Sequence, residues 1–335
     1  MSIKQAKEHI KKVMPKQLQY LYKLFIIMNK YLYDAKRYAR CAISNAYSEH
    51  RLKRDLSIHY HVVEKGLTMP EIRPGFGQKN IIDLITMIFE YDKLKFSKES
   101  IEFRQAISVV KEYEDFHKSL NHTFDEKIIE RLKLLNETYS DIEEPKQIII
   151  TKEQYFQNSD KSFDMFCNSR HSVRNYTNEN IPINDFMDCI KLAQSSPSFC
   201  NRQPSRVHIV KSAEKKKKIL ELQGGNRGFG HLADTILVIT SDVTATLGPD
   251  DRFANHLNSG MFCMTLLNAL HFKRIGACSL NWSRSNATDT KLRDLIDIAD
   301  NEVVVMLISC GYVPDIFKIT ASPHKLTEEI TYKLL

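Results

Sequence analysis

Apolar side chains recur at three- and four-residue steps through most of the first 140 residues, and gather into short unbroken runs in much of the remainder. Leu18, Leu21, Tyr22, Phe25 and Met28 open the first pattern, which predicts helix from about Gln17 to Tyr60. Ile81, Ile82, Leu84, Ile85, Ile88 and Phe89 predict another amphipathic helix, and residues 93–120 and 125–139 continue in the same style. Gly66 reads as a helix C-terminal residue, and Pro70, Pro74, Gly75 and Gly77 beyond it enforce an irregular loop. Asp141 to Pro145 breaks the helical series, and Gln147 to Ile150 reads as a short strand or extended linker. The boundary falls there, dividing the chain into a mostly helical N-terminal domain, 1–150, and a second domain, 151–335.

The second domain alternates. Helical patterns cover Phe163–Ser169, Ile183–Ala193, Ala213–Leu222 and Ala254–Phe272, and strands are predicted at Val207–Val210, Thr235–Thr240 and Glu302–Ser309. The β-branched run at Thr235–Thr240 predicts a central strand buried on both faces. Residues Gly276 to Trp282 read as a turn into a strand or loop. Such alternation gives an α+β class, a mixed sheet flanked by helices. The helix at Ala254–Phe272 is long and apolar enough to lie between subunits or through the domain centre.

Composition adds bounds. With 335 residues and a hydrophobic fraction of 42%, the chain can bury a substantial core. A formal charge of +7 suits an anionic cofactor, nucleic acid or an acidic membrane surface, and selects none of them. The aromatic and basic helix at 17–60 has two readings, a binding surface for membrane or nucleic acid and an ordinary packed-and-solvated helix; the second is simpler, and no nucleic-acid partner is expected. Seven scattered cysteines form neither a disulfide framework nor a C-x-x-C metal signature, so a reducing, cytoplasmic setting is the expectation. The N-terminus lacks a signal-peptide pattern, and the apolar run Leu24–Met28 is far short of a bilayer span. His59, His61 and Glu64 do not share one helix face, so no metal site is expected. Arg73 and Phe76, on the constrained loop, are placed for a ligand contact.

Candidate chemistry concentrates in two stretches. In Ser169-Arg170-His171-Ser172-Val173-Arg174-Asn175-Tyr176, an extended backbone aims Arg170, Ser172 and Arg174 to one side, a set of donors suited to a phosphate. About twenty-five residues on comes Ser195-Ser196-Pro197-Ser198-Phe199-Cys200-Asn201-Arg202-Gln203-Pro204, between a helix and a strand. Together, in this order and spacing, the two stretches resemble the FMN-dependent nitroreductase family, over roughly Phe163 to the C-terminus.

The resemblance implies an obligate homodimer with FMN at the subunit interface. It also implies ping-pong hydride transfer from NADH or NADPH through the flavin to a small organic acceptor. Arg170, His171, Ser172 and Arg174 match the motif that holds the FMN phosphate, the ribityl chain and the flavin's pyrimidine edge. Pro197, Ser198, Phe199 and Asn201 match the loop that packs on the isoalloxazine from the other subunit; Ser205 stands where an aromatic is common. Asn226 matches a flavin- or ribityl-contacting asparagine, Gly276, Ala277, Cys278 and Ser279 match the turn facing flavin N5, and Lys325 stands where a cation commonly closes the phosphate site. No general acid, nucleophile or metal ligand is implied. Residues 241–252 are too short for the substrate-covering insertion of some relatives, which leaves the helical half as the candidate cover. Two alternatives stay open: another flavin reaction on the same fold, such as dehydrogenation or reductive dehalogenation, and a basic binding protein with a vestigial flavin site.

Overall fold

The computed structural model describes residues 15–43 and 48–331. The N-terminal half holds helices α1 (Lys16–Tyr38), α2 (Glu49–Leu67), α3 (Gln78–Lys93), α4 (Ile101–Ser119) and α5 (Glu126–Thr138). The single helix expected over 17–60 is thus two, with a π-helical turn at Ala39–Ile43 between them; residues 44–47 of that stretch lie outside the described residues. Ser48 caps α2 by accepting from Arg51 N–H, and Ser100 caps α4 by accepting from Phe103 N–H. The second cap explains why the pattern from 93 to 120 breaks: its serine draws the backbone into an N-terminus instead of letting α3 run on. Helices α2 to α5 share one apolar cluster built on Leu56, Ile81, Leu84, Ile85, Ile88, Phe103 and Val110, all without solvent exposure. Each such side chain contributes about 1.5–3 kcal/mol by burial. Helix α1 stays outside this cluster, and Asp34 is its buried residue.

The loop after α2 holds the left-handed Gly75 and Gly77 that its composition predicted. Gly66, by contrast, is no left-handed cap. A Cβ there would stand 2.1 Å from a Phe76 ring carbon, so the glycine lets that ring lie flat against the helix. Phe76 also meets Tyr113 edge-on, which turns it inward, away from the ligand-contacting role its loop suggested. Arg73 is exposed on the same loop.

The second half comprises β1 (Ile148–Thr151), α6 (Lys152–Phe156), α7 (Phe163–Ser169), α8 (Ile183–Ala193), β2 (Ser205–Val210), α9 (Ala213–Gln223), β3 (Thr235–Asp242), α10 (Ala254–Phe272), β4 (Gly276–Asn281), α11 (Asn286–Ile296), β5 (Glu302–Gly311), β6 (Ile316–Ile319) and α12 (Thr327–Ile330). One sheet runs β2-β3-β5-β4, and β1 pairs with β6 in a separate two-stranded ribbon. The class is α+β, as expected, but every described pairing is antiparallel where a mixed sheet was predicted. Strand β3 is central and buried on both faces: Ile236 and Val238 enter one cluster with α9 and α11, Leu237 and Ile239 another with α8 and α10. That period-two partition follows from strand geometry. It fixes two helical layers on either side of the sheet, with α10 crossing one face.

Candidate active site

The stretch from Arg170 to Tyr176 leaves α7 in extended form and runs beside β4, Val173 N–H donating to Ala277 carbonyl at 3.0 Å. Two tyrosines clamp it. Tyr155 donates to the His171 carbonyl at 2.8 Å, and Tyr176 donates to that of Val173 at 2.8 Å. Arg174 and Arg170 lie near enough to the Cys278 thiol to act on it electrostatically. Burial pushes the Cys278 thiol up, with the arginines opposing. The first motif and Gly276–Ser279 therefore run side by side, and Gly276 begins a regular strand instead of a turn. Gly276 is needed there: a Cβ would meet Val313 at 2.6 Å and the Gly311 carbonyl at 3.1 Å.

Arg174 is the decisive side chain of this surface. It is 6% exposed, yet its Nε and Nη1 are buried without a hydrogen-bond partner among the described residues. Such a group is expensive unless an anion or acceptor meets it. His171 is held below its usual range by burial and then by Arg170 and His324. Below the motif, His271 of α10 places Nε2 2.8 Å from Ser169 Oγ.

The second motif lies elsewhere on the protomer. Phe199 N–H donates to Asn258 Oδ1 of α10 at 2.9 Å, and Pro197, Ser198 and Gln203 line a cleft of about 220 Å³ with Phe262. Cys200, Asn201 and Gln203 all hold positive φ, an uncommon choice for side chains other than glycine and one that clusters at ligand-binding loops. Arg202 stiffens the loop through Asp251 at 2.7 Å. Ser205 bonds Ser259 of α10 at 2.9 Å, tying β2 to the helix where an aromatic was expected. Among the described residues, no hydrogen bond or ion pair joins this loop to Arg170–Arg174 within one protomer.

Two other expected contacts are arranged differently. The Asn226 amide is spent on α9, its Nδ2 donating to the Leu220 carbonyl at 2.6 Å and Gln223 Oε1 at 2.9 Å, which leaves only its oxygen for a ligand. Lys325 pairs with buried Glu102 of α4 at 2.9 Å, so the helical half takes the cation expected at the phosphate. A cleft of about 600 Å³ beside α9 touches Asn226 but none of Arg170–Arg174. No group of three His, Cys, Asp or Glu among the described residues is placed to hold a metal.

A nitroreductase-family model matches residues 168–226 and 221–312, the segment that carries both motifs, the sheet and α10. The C-terminal half belongs to the nitroreductase family. The helical N-terminal half lies outside the match. A protein of Archaeoglobus fulgidus, named as an NADH dehydrogenase/NAD(P)H nitroreductase, is 27% identical over 150 residues, 44% of this chain and 83% of its own. The iodotyrosine deiodinase of Hydra vulgaris is 25% identical over 199 residues, 51% of this chain and 72% of its own. Among solved structures, an FMN-dependent nitroreductase from Clostridium difficile R20291 is 18% identical, covering 50% of this chain and 96% of its own, at a TM-score of 0.43.

Sequence reasoning missed one residue next to this nitroreductase-family surface. Lys65, in the last turn of α2, donates to the Gly225 carbonyl at 2.9 Å, and Met69 packs on Gly228. Lys65 is pulled below its usual range by burial and next by Arg174. Nothing in its local sequence signals this, since the contact spans 160 positions.

Proposed function

We propose that the protein is an FMN-dependent oxidoreductase that draws electrons from NADH or NADPH and passes them to a small organic acceptor, acting as a cytoplasmic homodimer. The orphaned, buried guanidinium of Arg174 carries this reading, because it asks for an acceptor that the protomer does not supply. FMN fits: it brings an anionic phosphate and a polar ring edge, and when bound it supplies stepwise hydride and electron transfer of the ping-pong kind. Arg170 and Ser172 would hold the phosphate by charge-assisted bonds, and Arg174 would meet the ring's polar edge. The β4 backbone at Gly276–Ser279 would orient the ring.

Dimerisation completes the pocket. Leu257, Met264 and Phe272 are exposed along α10, and we assign that face to the twin protomer. Its Pro197–Asn201 loop, separate from the arginine motif within one protomer, then covers the flavin bound next door. We divide the chain at about residue 150, with the helical domain as substrate cover; α1 already meets the loop before α10 through Asp34–Arg252 at 2.6 Å and Lys30–Asp250 at 2.8 Å.

The test is direct. Purified protein should be yellow, or turn yellow with added FMN, and bleach under NADH or NADPH without oxygen. Protein that stays colourless with FMN removes the reading and favours a vestigial site. The Hydra relative supports a second reading, reductive dehalogenation. Parallel turnover of a nitroaromatic and an iodinated tyrosine separates the two.

A further inference from the structure

The helical half does more than stand beside the nitroreductase-family half. At the end of α2, Lys65 crosses to the Gly225 carbonyl, and four residues on Met69 packs its sulfur 2.9 Å from where a Gly228 Cβ would stand. These contacts carry the ammonium into electrostatic reach of Arg174, Arg227 and Cys278. The Cys278 thiol feels Arg174, Lys65 and Arg170 electrostatically. Among the described residues Lys65, Arg170, Arg174 and Arg227 make no ion pair. Elsewhere in this half Arg202 has Asp251, Lys211 has Asp234 and Lys273 has Asp188. Lys65, by contrast, has the Gly225 carbonyl alone, and buried Arg174 leaves Nε and Nη1 without a hydrogen-bond partner among the described residues. Like charges held together destabilise the fold unless an anion joins them.

We propose that Lys65 is a cofactor-site residue contributed by the helical half, a cation that binds FMN from outside the family fold and favours its more negatively charged, reduced state. The proposal rests on the flavin reading above and goes beyond it, because it assigns the unmatched half a part in redox tuning. A cation beside a group that gains charge on reduction stabilises the reduced form more than the oxidised one, which raises the midpoint potential. By thermodynamic linkage, the reduced cofactor should also hold the two halves together more firmly than the oxidised one.

The experiment measures the midpoint potential and FMN dissociation constant of full-length K65M, K65Q, K65R and M69A. K65M and K65Q should favour the oxidised over the reduced cofactor by about tenfold relative to wild type, a fall of about 30 mV for a two-electron couple. K65R, which keeps the charge, should stay near the wild-type potential. M69A loosens the same contact without altering charge, and should leave the potential unchanged. A wild-type potential in both neutral variants overturns the role of Lys65 while the yellow protein keeps the flavin reading intact. Equal shifts in M69A and K65M overturn it too, because contact between halves and not charge would then be responsible. Wild-type protein that takes up no FMN overturns both.

Discussion

His271 is buried in α10 with Nε2 on Ser169 Oγ and Nδ1 without a partner among the described residues. Burial first, then Arg170 and His171, lower it to about 4. Unfolded, the same imidazole titrates at about 6.5, so between those values the unfolded chain holds a proton that the folded one refuses. The associated stability is fully present above the unfolded value and is lost as pH falls from there towards about 4. The loss is on the order of 3 kcal/mol. His271→Gln should flatten that decline in urea unfolding series, and parallel slopes for variant and wild type would exclude the assignment. At this scale the sequence was readable where the backbone alone aims a side chain. The extended run beside β4 is such a case, with Val173 N–H bonded to the Ala277 carbonyl. The partners of Asn226 and Lys325 were not readable, because an α9 carbonyl takes the first only once the chain turns back after that helix, and Glu102, far away in sequence, takes the second.

Among the elements, the fit of Phe76 over Gly66 is the sharpest constraint in the helical half. Gly66→Ala should destabilise by roughly 1–3 kcal/mol through overpacking. In a Phe76→Leu background the added methyl should cost less, giving a measurable coupling in a double-mutant cycle by thermal or denaturant unfolding. Additive effects would show that the ring does not set the glycine. Ile85→Ala, fully buried in the same cluster, should cost about 2–5 kcal/mol. Most helices and β3 were legible because burial periodicity runs their whole length. Strand β6 and helix α11 were not. Four residues, of which Ile316 is exposed and Lys318 polar, carry no strand signature until β1 supplies the partner, and α11 offers Leu292 as its buried position. The antiparallel pairing throughout the sheet was equally invisible, since helix–strand alternation does not fix strand direction when connections cross over.

For the whole molecule, two predictions concern the proposed twofold assembly and the docking of α1. Leu257→Glu with Met264→Glu should shift the protein to monomer in light scattering and raise the FMN dissociation constant at least tenfold, because each flavin needs the neighbour's Pro197 loop. A monomeric variant with wild-type FMN affinity would show that one protomer suffices. In addition, Asp34→Ala should detach α1 from the loop at 249–253, read as faster proteolysis of α1 with little change in the melting of the remainder. The family half could be recognised from two motifs, yet the role of the helical half could not, because what it contributes is a docking geometry spread over Lys65, Glu64, Glu102 and Gln147.

The β1–β6 ribbon bears on how the molecule is made. Glu64, Glu102 and Gln147 meet Ser322, Lys325 and Ala321, just beyond β6. On the ribosome, the helical half has its entire apolar cluster once residue 142 has emerged, but its clasp is translated only after the whole sheet. A nascent chain halted before Ile316 therefore has the Lys65–Gly225, Met69–Gly228 and Asp34–Arg252 contacts without this clasp, whose closure is among the last events of synthesis.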